Sequence, residues 1–235
     1  MLDIAPDDVD TLALKASVAQ AEGDLARASA LLAPLRPGAD DAGALEIQIY
    51  QSILERRPAK MIQRLQEILA KPNPMLGYVD GELYFWLGWA QEVAEDRIGA
   101  RESWRQGKLQ LEKLVEEQPD NYSLLEDLAL INMGLDDKSN ALALAERAIA
   151  ANPIEKDAVR GPVPVEIFAR VAARMGEPDR AISTLEKLLS IPYDGSMAAG
   201  APLTPALLRL DPMFDPLRSN PRFQKLLGPH SSKRP

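Results

Sequence analysis

A helix–turn–helix pattern returns about every forty residues, and such a repeat constrains the fold more than any single motif. In residues 125–153, LEDLALINMGLDDKSNALALAERAIAANP, apolar residues recur with helical spacing on both sides of the turn GLDD, and Asn152-Pro153 ends the second helix. The residues that open the second helices are separated by 33, 39, 41 and 40 positions; they are Ala28, Met61, Ala100, Ala141 and Ala181. The pattern predicts five stacked antiparallel helix pairs, because one pair alone leaves an apolar side exposed.

The composition favours an all-α fold. Hydrophobic residues make up 46% of the 235 residues and charged residues 26%, which is typical of a globular protein, and apolar residues do not alternate with the period of a strand. Small residues such as Gly88 and Ala129 recur on the helices, where they let two backbones approach closely. We therefore predict an α-solenoid over residues 1–202, followed over 203–235 by a loop, short capping helices and a flexible basic tail.

The repeats resemble the tetratricopeptide repeat family, which implies a tetratricopeptide-like α-solenoid that binds other proteins. The steps of 39–41 positions exceed the family's usual length of about 34 residues, so the turns or second helices must be longer here. The residues that carry the resemblance are Tyr84, Leu87-Gly88, Ala100 and Trp104, then Leu125, Leu128-Ala129, Ala141, Ala148 and Pro153, then Phe168-Ala169, Gly176 and Ala181.

The C-terminal half is also similar to the repeat regions that end certain bacterial multidomain regulators. The similarity rests on the stretches NPIEKDAVRGP, IFARVAARMGEPDRAISTLEKLLSIP and LRLDPMFDPLRSNPRFQKLL. In those regulators a serine/threonine kinase, a nucleotide cyclase or a winged-helix DNA-binding domain lies upstream, and no residues here match such domains. The resemblance implies the sensing or scaffolding part of a regulator.

Residues 208–227 combine three Asp-Pro or Asn-Pro steps with isolated large apolar residues. Each Asp or Asn can cap a helix start, and proline fits the first helical position. We expect short helical turns whose Phe214, Leu217 and Phe223 cover the last hairpin, because a solenoid must close its terminal apolar face. A partner-docking motif is the alternative interpretation.

Charge and motifs exclude several classes of function. The net charge of −8 argues against a nucleic-acid or anionic-membrane surface, and no apolar run approaches the ~20 residues of a membrane helix. The acidic start is unlike a signal peptide, which favours the cytoplasm over the periplasm. Cysteine is absent, His230 is the only histidine, and no nucleotide-binding, hydrolase or zinc motif is present. We expect no cofactor, no metal site, no catalytic residues and no enzymatic activity.

An aromatic cluster in the third repeat indicates a binding surface. Phe85 and Trp89 lie four positions apart, on the helix side opposite the packing residues Tyr84 and Leu87, and that side lines the concave surface in the family. Ordinary core packing is an equally weighted alternative. The same side of the neighbouring first helices completes a predicted groove, formed by Tyr50, Phe85, Trp89, Glu126, Leu130, Met133, Arg170 and Arg174.

This groove suits a protein or peptide segment that has apolar anchors and at least one acidic group. The family members that bind chaperone tails use Lys and Asn on their first two hairpins, but Ala13, Ser17, Glu46 and Tyr50 occupy those places here. That activity is not expected. The sequence predicts a non-catalytic scaffold or sensor module, and the alternative is a self-associating module that forms a homo-oligomer.

Overall fold

The structure is a computed structural model that describes residues 8–38, 41–71, 78–197 and 200–228. These residues are helical apart from turns, loops and one isolated β-bridge between Gly195 and Gly200, so the predicted all-α class is confirmed. His230 and the rest of the predicted tail lie outside the described residues. The ten longer helices are α1 Val9–Glu22, α2 Leu25–Leu32, α3 Ala42–Leu54, α4 Ala59–Leu69, α5 Tyr78–Val93, α6 Arg97–Glu117, α7 Tyr122–Gly134, α8 Lys138–Ala151, α9 Pro162–Arg174 and α10 Pro178–Leu188.

Five tight turns join these helices into pairs, and each turn contains one residue in the left-handed conformation. The φ angles are 80° at Gly23, 58° at Arg56, 67° at Glu95, 63° at Asp136 and 74° at Gly176. In every turn the next amide donates to the carbonyl five residues earlier, at 2.8–2.9 Å, which closes the first helix of the pair. Each left-handed residue precedes the predicted start of a second helix by five positions, so the turns have the spacing that the repeat predicted.

The pairs pack on one another through two sets of helix contacts. Helix α1 contacts α3, and the contacts continue from α3 to α5, from α5 to α7 and from α7 to α9. The second helices α2, α4, α6 and α8 each contact the first helix that follows. Glycine is required where α6 meets its neighbours, because a Cβ at Gly134 would come within 2.5 Å of the Trp104 ring. No helix in the described ranges has the length and apolar character to cross a membrane.

Residues 203–227, hereafter the C-terminal segment, connect the two ends of the stack. They form α11 Pro205–Leu210, a 3₁₀ helix Pro212–Leu217 and α12 Pro221–Leu226. Helix α11 contacts α1, the 3₁₀ helix contacts α9, and α12 contacts α10. Asp211 and Asn220 cap the two later helices, as their sequence indicated.

The three large apolar side chains that the sequence assigned to the cap are fully buried. Phe214, Leu217 and Phe223 are at most 1% exposed, and the two phenylalanine rings lie 6.2 Å apart. The segment also reaches the first pair, where Thr204 Oγ1 donates to the carbonyl of Ala21 at 2.6 Å. It therefore covers more than the last hairpin that the sequence led us to expect.

Candidate functional site

The predicted groove residues lie on α3, α5, α7 and α9, and we call the faces of these helices that carry them the inner side. Seven of the eight are buried, so they do not line an open groove as expected. The C-terminal segment belongs to the same buried cluster, and its Asp211 binds Tyr50 and Arg170 directly. The exposed fractions are Tyr50 0%, Phe85 2%, Trp89 1%, Glu126 7%, Leu130 1%, Met133 3% and Arg170 1%.

Four aromatic rings form the centre of the inner side. Tyr50 from α3 packs against Trp86 and Trp89 from α5, with ring centroids 6.3 and 6.0 Å apart. Phe85 lies 5.5–5.9 Å from the same two indoles, and the indoles are themselves stacked at 5.5 Å. Aromatic pairs at such distances stabilise a core by ~0.5–1.5 kcal/mol each beyond their buried area. Phe85 and Trp89 are core residues, which was the alternative interpretation of the cluster.

Arg170 is the charged centre of the inner side. Its guanidinium donates to Glu166 Oε1 at 2.8 and 3.1 Å, and to Asp211 Oδ2 at 2.5 Å. The Tyr50 hydroxyl donates to the same Asp211 oxygen at 2.7 Å. The Tyr193 hydroxyl donates to Glu166 Oε2 at 2.9 Å. These bonds join α3, α9 and the C-terminal segment in one buried network.

The network is held together by charge. Burial lowers the pKa of Arg170, but the two carboxylates outweigh it and raise that pKa well above its usual value. Burial and the Asp211 charge together raise the pKa of the Tyr50 hydroxyl, which therefore stays protonated and donates. A buried ion pair contributes little net stability, but removal of one partner is costly because the other charge is left unpaired. The network thus fixes the position of the C-terminal segment.

Arg174 lies one turn further along α9 in a different environment. Its two terminal nitrogens donate to the two oxygens of Glu92 at 3.0 and 2.5 Å, and both side chains are partly exposed. It lines a cleft of about 890 Å³ that follows the hairpin turns, which we call the turn cleft. The other arginines of this cleft are Arg56, Arg97 and Arg101, and its carboxylates are Glu92, Glu95, Asp136 and Asp215.

Three of these residues occupy the left-handed position of their turns. Arg56, Glu95 and Asp136 stand where the first and last turns have glycine, although the left-handed conformation costs a side chain roughly 1–2 kcal/mol. Glycine would relieve that strain but place no charge in the cleft. Strained positions of this kind often cluster at functional sites. The sequence carries a signal for this cleft, because a charged residue replaces glycine at three of the five equivalent turns.

A smaller pocket of about 130 Å³ lies beside Glu126, between α5, α7 and α9. Burial, and secondly the charge of Glu166, raise the pKa of Glu126 to about 8. The Oε1 atom of Glu126 is buried and has no hydrogen-bond partner in the described part of the chain. The sequence predicted Glu126 as a groove residue, but it is buried, and the missing hydrogen-bond partner of its Oε1 depends on contacts between distant residues.

No group of three or more His, Cys, Asp or Glu side chains within the described ranges could hold a metal ion. No protein-family model, curated protein or solved structure matches the chain. The resemblance to tetratricopeptide repeats and to regulator repeat regions therefore stays a prediction. The functional argument rests on the geometry of the chain itself.

Proposed function

We propose that this chain is a non-catalytic protein-interaction module of tetratricopeptide-like architecture, and that it binds a protein segment in the turn cleft. The observation that carries the proposal is the strained, charged residue at three successive turns, all of them lining one cleft. The three side chains are exposed and add nothing to the packing of the core, so a role in recognition accounts best for their retention. In a larger bacterial regulator, the module would sense or recruit the partner.

The charges of the turn cleft define the chemistry of the partner. Arg56 pairs with Asp215 at 2.9 Å and Arg101 with Asp136 at 3.5 Å, and all four side chains are more than 40% exposed. Exposed ion pairs contribute about 0–1 kcal/mol each, so a partner's carboxylate can replace one at little cost. An acidic side chain of the bound segment would therefore pair with these arginines.

Apolar anchors of the same segment would use the remaining walls of the cleft. Val93 and Pro216 supply apolar surface between the charged side chains, and the buried Trp104 and Pro212 form the floor beneath them. Pro212 and Pro216 come from the C-terminal segment, so the buried network at Arg170 also holds one wall of the cleft in place. The proposed partner is the one that the sequence predicted, an acidic segment with apolar anchors. Its proposed binding surface is the turn cleft and not the inner side.

The proposal can be tested with random peptides displayed on phage and selected on the immobilised full chain. Selected peptides should be acidic, and their affinity should fall at least about tenfold for the double variant Arg97→Glu/Arg101→Glu. Arg105→Glu, one turn further along α6 and outside the cleft lining, is the matched control and should bind normally. Equal binding to both variants, or no peptide enrichment, would contradict the proposal.

Self-association is the alternative and predicts a different result. A self-associating module would show a mass that rises with protein concentration in sedimentation equilibrium. The proposed module stays at the mass of one chain in the absence of peptide. Measurement of the mass of the double cleft variant and of the Arg105→Glu control also tells whether a loss of peptide binding reflects a change of oligomeric state.

A further inference from the structure

The repeat places a glutamate on the inner side of three first helices. Only one of these glutamates pairs with an arginine of its own helix. The equivalent positions on α3, α5, α7 and α9 are Glu46, Phe85, Glu126 and Glu166. One turn later the same helices carry Tyr50, Trp89, Leu130 and Arg170. On α9 the arginine binds the glutamate directly, at 2.8 Å. On α7 a leucine stands in place of the arginine, so Glu126 has no cation at that position.

A pocket adjoins the carboxylate that lacks this arginine. Glu126 is 7% exposed, its Oε1 has no hydrogen-bond partner in the described ranges, and it lines the 130 Å³ pocket. One water-sized group occupies roughly 30 Å³ of liquid, so the pocket holds several such groups. Its walls are aromatic and aliphatic, formed by Phe85, Trp86, Leu130, Ile167 and Met197.

The mouth of the pocket is acidic and partly exposed. Glu82, Ser123 and Asp127 line it and are each half-buried, so a ligand can reach the carboxylate behind them. Arg170 is the nearby cation, but Glu166 and Asp211 already bind it. The pocket therefore combines a buried carboxylate and an acidic entrance with aromatic walls, which is the environment that attracts cations.

We propose that the pocket beside Glu126 binds a small organic cation, a primary ammonium group on a short alkyl chain, with the Glu126 carboxylate as its counter-ion. The ammonium takes the place that an arginine of the same helix would fill, and the alkyl chain contacts Leu130, Ile167 and Met197. The ammonium belongs either to a free amine or to a lysine side chain of a partner. This site is separate from the turn cleft, so either proposal can fail without the other.

Binding at this site should depend on pH. Glu126, with a pKa of about 8, is mostly protonated at neutral pH and must lose its proton to pair with an ammonium ion. Affinity should therefore rise about tenfold per pH unit below pH 8 and level off above it. The other charged or titratable groups around the pocket are Glu82 on α5, its neighbour Glu46 on α3, Asp127 on α7, Glu166 and Arg170 on α9, and Tyr193.

The experiment is calorimetric titration of the full chain with n-butylammonium chloride from about pH 6 to about pH 9, where the amine remains charged. We expect saturable binding that strengthens with pH and releases a proton into the buffer. n-Butanol, a neutral molecule of the same shape, should not bind. Glu126→Gln should lower the affinity at about pH 9 at least tenfold, whereas Glu112→Gln, an exposed glutamate on α6, should leave it unchanged.

The two sources of the ammonium group are distinguished by a second ligand, the peptide acetyl-Gly-Lys-Gly-amide. If the peptide and butylammonium each bind in separate titrations, the ammonium group belongs to a lysine side chain. If butylammonium binds and the peptide does not, it belongs to a free amine. The absence of butylammonium binding at any pH, equal binding of butanol, or unchanged affinity in Glu126→Gln would overturn the proposal. If Glu126→Gln does not fold, carboxyl NMR of the unmodified chain replaces it: butylammonium must lower the pKa of Glu126, and an unchanged pKa refutes the site.

Discussion

Arg170 and Arg174 lie one turn apart on α9 and both pair with glutamate, but they belong to different regions of the molecule. Arg170 is 1% exposed and is enclosed by Glu166, Asp211 and the C-terminal segment. Arg174 is 20% exposed, pairs with Glu92 and faces the turn cleft. Around Arg170 the inner side is thus closed by the chain itself, while the turn cleft stays open to a partner. A binding surface cannot be identified from residue type and helix side alone.

The largest expected effect comes from Arg170. Arg170→Met would leave two buried carboxylates without their cation, and should lower the free energy of unfolding by about 3–5 kcal/mol. Arg174→Met, the matched change in the open region, should lower it by about 1 kcal/mol or less. Urea denaturation of the two variants measures this difference directly. Equal losses would mean that the inner side is not closed as described.

Replacement of Trp89 tests whether the inner side is a packed core. Its ring is 1% exposed and packs against Tyr50, Phe85 and Trp86. Trp89→Ala should therefore cost about 3–5 kcal/mol of stability, as removal of a core aromatic residue does. If Trp89 instead lined the groove that the sequence predicted, Trp89→Ala would abolish partner binding and leave the fold intact. Thermal unfolding followed by circular dichroism decides between them, and an unchanged melting temperature would restore the groove.

The difference between the two regions also shows how far the sequence could be interpreted. The five turns follow a local period, so the spacing of Ala28, Met61, Ala100, Ala141 and Ala181 was enough to place them. The closure of the inner side depends on contacts between distant residues. Tyr50 and Asp211 are 161 positions apart, and no periodicity relates them. The proline-rich stretch indicated a cap, but not that it would return as far as the first pair.

Glu126 is a buried carboxyl group on the inner side, and its ionisation makes the stability of the chain depend on pH. The folded pKa of about 8 exceeds the value near 4.5 of an exposed glutamate, so folding favours the protonated form. The stability due to this group is fully present below about pH 4.5, falls as the pH rises, and is lost once the pH passes about 8.

We expect the melting temperature of the unmodified chain to fall between about pH 5 and pH 8 relative to that of Glu126→Gln, which cannot ionise. The accumulated difference should be on the order of a few kcal/mol, because each pKa unit corresponds to ~1.4 kcal/mol. Denaturation at several pH values measures it. Parallel pH profiles for the two proteins would show that Glu126 ionises normally.

The smallest expected effect comes from the strained turns of the open region, and it has the opposite sign. Asp136 has a φ of 63° and pairs only weakly with Arg101, at 3.5 Å. Asp136→Gly should therefore raise the free energy of unfolding by about 0.5–1 kcal/mol. Gly176→Ala is the reverse control, because a Cβ there meets nothing within 4 Å and only the backbone conformation resists it. That variant should lose a similar amount.

Peptide affinity should also distinguish Asp136→Gly from Gly176→Ala. If Asp136 takes part in recognition, Asp136→Gly should stabilise the chain and change the affinity of the selected peptides, whereas Gly176→Ala should destabilise the chain and leave that affinity unchanged. Because Asp136 pairs with Arg101 and would repel an acidic segment, we expect the selected peptides to bind Asp136→Gly more tightly. If Asp136→Gly instead destabilises the chain, the side chain supports its turn, and the strongest reason for assigning function to the turn cleft is removed.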